Sequence, residues 1–117
     1  MYRDETSWAP FLLYEYEDGG RFGLLLFDSR MGPTEAAFTA AGRDIGGYAW
    51  TDVALHVVRS EAPALNGRFG LDPEAGMFCA YGDDLEALQA LAGLLHRLFH
   101  DPAALEAAAR AAPWEYD

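Results

Sequence analysis

The amino-acid sequence predicts an α+β fold, a four-stranded, mainly antiparallel sheet in the order ββααββαα with helices packed on one face. Two pairs of β-prone segments are each separated by a turn sequence, and each pair is followed by two segments with helical patterns. The 117 residues suit a single domain over 1–117, because independent cores commonly occupy about 100 to 150 residues. The hydrophobic content of 51% supplies a core without disulfides.

The first hairpin is predicted at the segments Phe11–Glu17 and Phe22–Asp28. Between them, Asp18-Gly19-Gly20 suits a tight turn, since glycine adopts positive φ angles without steric cost. Successive side chains of a strand point to opposite faces. We therefore expect one face of the first strand to be buried and the other to become polar toward its end.

Two helices are predicted after this hairpin. Pro33 suits a first helical position and introduces a short helix over Thr34–Ala41. Three glycines then interrupt the pattern. A second helix is expected to begin near Thr51, whose hydroxyl can cap free N–H groups, and to run to about Ser60 before Pro63 stops it.

The second hairpin is predicted at Arg68–Leu71 and Met77–Tyr81, with DPEAG as its loop. Pro73 fixes φ near the value of a type I turn, and Gly76 can adopt a left-handed conformation on leaving the turn. Every position of the outgoing strand is apolar or aromatic, so that both of its faces are apolar. This pattern predicts a central strand covered on both faces.

The last two helices have the clearest signals in the chain. Asp83 is expected to cap the first of them, with Glu86 as the second half of a capping box. Apolar residues recur at helical spacing at Leu85, Leu88, Ala92, Leu95 and Phe99. Asp101-Pro102 begins a shorter helix that ends before Pro113. The tail 113–117 either packs back or stays loose.

Charge is the most informative bulk property of the chain. There are 19 Asp and Glu residues against 8 basic residues, all of them Arg, and the formal net charge is -11. Such a surface repels nucleic acid and anionic membranes and attracts basic proteins. Nucleic acid and membranes are thus not expected as partners, whereas a basic protein is permitted. The alternative is that acidity only keeps the protein soluble.

Cysteine content and the N-terminal sequence predict a cytoplasmic protein. A single cysteine cannot form an internal disulfide, on which small secreted domains usually depend. The N-terminal MYRDETSW mixes charges where a secretory signal needs a basic start and an apolar run. No apolar run reaches the ~18 to 20 residues that cross a bilayer.

Candidates for catalysis or metal binding are few. Cys79 lies in an apolar strand with no histidine close in sequence, so packing is the favoured interpretation over a nucleophile. His96 and His100 have the spacing of two metal ligands on one helix, but no further ligand pattern accompanies them. No phosphate-binding loop, dinucleotide motif or nucleophile elbow is present. The sequence therefore predicts no enzyme, no cofactor and no metal.

Four carboxylates lie on or beside the first hairpin, namely Glu15, Glu17, Asp18 and Asp28. Such a group is usually a solvated edge that discourages aggregation between strands. It can equally form a patch that binds Arg or Lys. Both interpretations remain open at this point.

Two aromatic residues, Tyr48 and Trp50, lie at a loop-to-helix junction in GGYAWTD. Aromatics at such junctions commonly pack into the core. The alternative is an exposed aromatic anchor, the residue type that dominates interface hot spots.

Two short motifs resemble the immunity protein 51 family of bacterial polymorphic toxin systems. One is G-Y-x-W, formed by Gly47, Tyr48 and Trp50, and the other is E-A-G-x-F, formed by Glu74, Ala75, Gly76 and Phe78. The resemblance implies a small, mixed α/β, cytosolic protein that neutralises a cognate toxin by binding it. It does not identify the toxin, although a basic nuclease would suit the net charge.

The resemblance and the charge together suggest a set of partner-binding residues. The first choices are Glu74 and Trp50, followed by Tyr48, Asp72, Glu15, Glu17 and Asp28. The protein is expected to be a monomer or a weak homodimer. Alternatives are an acidic adaptor or regulatory domain unrelated to toxins, and a thiol or metal enzyme.

Overall fold

The computed structural model describes all 117 residues and contains five strands and four helices. The strands are β1 (Arg3–Asp4), β2 (Leu12–Glu15), β3 (Phe22–Phe27), β4 (Gly70–Leu71) and β5 (Met77–Gly82). The helices are α1 (Glu35–Ala40), α2 (Gly47–Glu61), α3 (Leu85–Phe99) and α4 (Pro102–Ala111). All strand pairs are antiparallel, in the order β1-β2-β3-β5-β4. The predicted α+β class and antiparallel sheet are confirmed.

The predicted count of four strands is wrong, because β1 adds a fifth strand at the sheet edge. Arg3 lies opposite Tyr14, and Asp4 lies opposite Leu13. The backbone N–H of Glu15 donates to the carbonyl of Tyr2 at 2.8 Å, which extends this pairing. Two polar residues are too few to show an alternating pattern, so no strand is predicted here from the sequence.

Helices cover one face of the sheet. Side chains from alternate strand positions join the hydrophobic core, including Leu13 from β2, Leu24 and Leu26 from β3, and Phe78 and Ala80 from β5. Against them pack α2 and α3, while α4 contacts α1, α2 and α3. The second hairpin's outgoing strand, β5, is central as predicted, since it lies between β3 and β4, but the helices cover only one of its faces.

Two helix starts differ from the predictions. The helix expected near Thr51 begins at Gly47, and the Thr51 hydroxyl donates to the Gly47 carbonyl at 2.7 Å instead of capping. The cap of α3 is Asp84 and not Asp83, because Asp84 Oδ1 accepts from the N–H of Ala87 at 3.1 Å. None of the four helices combines the length and apolar character that crossing a bilayer requires.

A buried ion pair fixes the C-terminal tail. Arg43 Nη1 lies 3.0 Å from Asp52 Oδ2, and both side chains are fully buried. Arg43 also donates to the carbonyl of Ala112, and its guanidinium lies 4.4 Å from the ring centre of Trp114. The Asp52 carboxylate accepts from the backbone N–H groups of Glu115, Tyr116 and Asp117. The tail therefore packs back, which the sequence left open.

Candidate functional site

The loop between β4 and β5 packs against the start of α2, so that the two family-like motifs are in direct contact. The N–H of Gly47 donates to the carbonyl of Ala75 at 2.9 Å. A Cβ on Gly47 would lie 1.9 Å from the carbonyl oxygen of Glu74 and 2.3 Å from that of Met77. Only a glycine fits between these carbonyls, and the motif residues here serve the fold.

The same loop is also held by the end of β3. The N–H of Asp28 donates to the carbonyl of Gly76 at 2.9 Å. Within the loop, Glu74 and Met77 exchange backbone hydrogen bonds of 2.9 and 3.1 Å. Glu74 therefore projects its exposed side chain from a fixed backbone.

A pocket of about 200 Å³ lies beside this loop. Its walls are Asp28, Met31, Gly32, Glu35, Ile45, Gly46 and Ala75. The two carboxylates in this wall make the pocket acidic.

The sheet face away from the helices is rich in aromatic and aliphatic side chains. This open face is formed by Leu12, Tyr14, Tyr16, Phe27, Met77 and Tyr81, around a floor of Leu25 and Cys79. None of these side chains belongs to the hydrophobic core or packs against it. The chain thus leaves an apolar sheet surface without a covering layer of its own.

Two glycines bring the tyrosine rings of the open face close to the sheet. A Cβ on Gly23 would lie 2.7 Å from the Tyr16 hydroxyl oxygen and 3.2 Å from the Tyr14 ring. A Cβ on Gly70 would lie 2.5 Å from the Tyr81 ring. Tyr14 and Tyr16 meet edge to face, with ring centres 5.1 Å apart. The rings therefore form a packed and ordered surface.

Acidic residues predicted to bind a partner lie at two ends of the open face. Glu15 is opposite Phe22 at one end of β3, and Asp28 follows Phe27 at the other. These ends are roughly 17 Å apart at about 3.4 Å per residue. The structure therefore does not gather Glu15, Glu17, Asp18 and Asp28 into one cluster.

The carboxylate of Glu15 is engaged within the protein. It accepts from the N–H of Tyr2 at 3.0 Å and from the N–H of Gly20 at 2.9 Å. These hydrogen bonds, that of Tyr2 first, lower the pKa of Glu15 below its ordinary value of 4.5. Glu15 thus ties the residue before β1 to the first turn, and Glu17 and Asp18 are the exposed acids at this end.

At the other end, Asp28, Asp72 and Glu74 are exposed and form no ion pair. They are termed the acidic rim. Asp72 lies beside the floor of the open face, because its backbone N–H donates to the carbonyl of Cys79 at 3.0 Å. The charges of Asp72 and Glu74 raise the pKa of the Cys79 thiol. The rim therefore places uncompensated negative charge beside apolar surface.

Trp50 has no surface to offer a partner. Its side chain is 0% exposed and packs edge to face on Phe11 and parallel to Phe99, with ring centres 5.6 and 6.1 Å away. The exposed-anchor interpretation of Trp50 is wrong, because α2 turns this residue into the core. Tyr48, in the first turn of α2, is 37% exposed.

Cys79 is a buried thiol beneath the tyrosines. Burial raises its pKa above the ordinary value of 9.0, and the negative charge of Asp72 raises it further. A nucleophilic cysteine needs the opposite shift. His96 and His100 lie with ring centres 4.6 Å apart, but no three metal-binding side chains come together anywhere in the chain.

We expect Cys79 in the native protein to react with iodoacetamide at pH 8 at least about tenfold more slowly than in the urea-unfolded chain, since burial limits both access and thiolate formation. Mass spectrometry of timed samples measures both rates. Equal rates in the two states would contradict a closed, inert thiol.

The open face was missed by sequence reasoning, although its signal was present. Tyr14 and Tyr16 in β2 and its turn, and Tyr81 in β5, alternate with core residues. Apolar residues on both faces of a strand usually indicate that both faces are buried. In this chain it marks one face covered by helices and one face left open.

Comparison with known proteins gives one match. The family model described as immunity protein 51 matches residues 11–113. No curated protein and no solved structure matches the chain. The matched range includes both motifs, β2 through β5 and all four helices.

Proposed function

We propose, because this chain belongs to the immunity protein 51 family, that it neutralises a cognate toxin of a bacterial polymorphic toxin system by binding it. The observation that carries the proposal is the family match over 11–113, nearly the whole chain. Family membership implies a protein partner. It also supports the interpretation that the chain acts by binding and is not an enzyme.

Charge supports a basic toxin as the partner. The formal net charge is -11, and six of the eight arginines each lie within 4.0 Å of a carboxylate. Arg21 and Arg30 are exposed without an ion pair, and Arg21 lies 5.7 Å from the ring centre of Tyr16, but acidic side chains outnumber these two free arginines. Complementary charge speeds association with a basic protein, by tenfold or more in favourable cases, and a basic nuclease domain would suit it.

The cytoplasm is the compartment that we propose for this binding. A free, buried Cys79 is compatible with a reducing environment. An immunity protein must also meet its toxin where the toxin acts, and nucleic acid is a cytoplasmic target. Neither a cofactor nor a metal enters this proposal.

The proposal predicts a neighbouring gene that encodes a toxin with a variable C-terminal domain, and the experiment is co-expression with that domain. Cells that carry the toxin domain alone should stop growing, and cells that also carry this protein should grow normally. The two proteins should co-purify as a stable complex. Absence of both protection and complex formation would reject the proposal for that toxin, and a stable complex with a different, non-toxic protein would favour an adaptor function.

A further inference from the structure

We propose that the open face, bordered by the acidic rim, is the surface that docks the toxin. This inference rests on the proposed function and specifies its interface. The toxin surface that fits the open face and the acidic rim is an apolar patch bordered by Arg or Lys side chains. The pattern is that of many interfaces, in which an apolar centre is surrounded by polar residues.

Neither terminal segment of the structure covers the open face. The N-terminal residues form β1 at the sheet edge, where Arg3 and Asp4 pair with β2. The C-terminal tail lies on the other side of the molecule, held by the carboxylate of Asp52 on α2. An apolar face that its own chain leaves open is typical of a binding surface.

The tyrosines of the open face are already packed against the sheet in the free protein. Tyr14 and Tyr16 pack over Gly23, and Tyr81 packs over Gly70. Rigid aromatic side chains lose little conformational entropy when a partner covers them, and tyrosine is enriched at interface hot spots. Phe27 adds an apolar side chain that is 44% exposed. The face thus offers contact area at low entropic cost.

The net charge of this chain favours a basic protein over other partners for the open face. A second copy of this chain carries the same net charge of -11, so that two copies repel each other. Nucleic acid and anionic lipid are repelled in the same way. A basic protein gains from Asp72 and Glu74, which form no ion pair within this chain.

The sheet edges are poor alternatives to its face. The edge strands β1 and β4 contain two residues each. Very short edge strands offer few free backbone groups for pairing with a strand of another protein. Binding across the face uses the side chains of β2, β3 and β5 instead.

The test compares two matched variants with a catalytically inactive form of the toxin domain. Phe27→Arg places a positive charge on the open face, whereas Tyr116→Arg makes the same change in charge at a residue of the C-terminal tail with equal exposure, 44% against 43%. Titration calorimetry gives the dissociation constants. We expect Phe27→Arg to weaken binding by about 30-fold or more and Tyr116→Arg by less than about threefold.

A rim variant provides a second route in case Phe27→Arg unfolds, which thermal unfolding would reveal. Glu74→Arg changes an exposed side chain without hydrogen bonds and should slow association by about tenfold at low salt. Unchanged affinity of a folded Phe27→Arg variant, or unchanged association by Glu74→Arg, would overturn the docking surface while leaving toxin binding intact.

Two other results would also overturn it. Failure of the unaltered protein to bind the toxin domain removes both the function and the interface. A homodimer in sedimentation velocity that Phe27→Arg dissociates would assign the open face to a second copy of the chain.

Discussion

Replacing Gly47 by alanine is expected to lower the free energy of unfolding by at least about 3 kcal/mol. The new Cβ would lie 1.9 Å from the Glu74 carbonyl oxygen and 2.3 Å from that of Met77. Both neighbours are backbone atoms in a loop held by hydrogen bonds on two sides, so neither can rotate away. Relief requires the loop to move off α2, which breaks the bond from Gly47 N–H to the Ala75 carbonyl. Urea unfolding measures the change.

The control for this variant is Gly32→Ala. Gly32 has no positive φ angle, and an added Cβ there meets no atom within 4 Å. Its stability should stay within about 0.5 kcal/mol of the unaltered protein. Equal stabilities of the two alanine variants would show that the contact between the two motifs does not hold the loop.

Replacing Asp52 by alanine is expected to cost about 3 to 5 kcal/mol, because Arg43 would remain buried without its counter-charge. The change also removes the acceptor of three backbone N–H groups in the tail. We therefore expect the tail to detach as well, and to become sensitive to proteases. Urea unfolding and limited proteolysis measure the two effects.

Two control variants distinguish the effect of a buried charge from the effect of losing an ion pair. Glu61→Ala breaks an exposed pair, in which Glu61 lies 2.8 Å from Arg97, and should cost less than about 1 kcal/mol. The double change Arg43→Met with Asp52→Leu removes both buried charges and should be markedly less destabilising than Asp52→Ala alone. A cost for Asp52→Ala equal to that of Glu61→Ala would contradict the role assigned to the buried pair.

Sequence patterns predicted the elements that carry strong local signals. Both hairpins and all four helices were found, because turn glycines, prolines and helical spacing of apolar residues act over a few neighbouring positions. The predictions failed where a structural feature depends on residues that are far apart in the sequence. Arg3 pairs with Tyr14, which lies eleven positions further along the chain. Asp52 accepts hydrogen bonds from tail residues that lie 63 to 65 positions away.

The candidate site was predicted only in part. Glu74 was placed correctly in an exposed loop, and the structure adds the pocket and the fixed backbone beside it. Trp50 packs into the core, as the first of its two interpretations predicted, and only the alternative of an exposed anchor is wrong. Which face of a strand stays open depends on where helices pack, and local alternation does not contain that information.

The central claim is that this protein acts by covering a partner with its open face, and oxidative footprinting tests it most directly. The chain contains suitable probes, since Met77 lies on the open face, Met1 is exposed at the terminus and Met31 is buried. On binding the inactive toxin domain, hydroxyl-radical oxidation of Met77 should fall severalfold while that of Met1 stays unchanged. Unchanged oxidation of Met77 in a fully formed complex, with protection of Trp114 or Tyr116 instead, would contradict the claim.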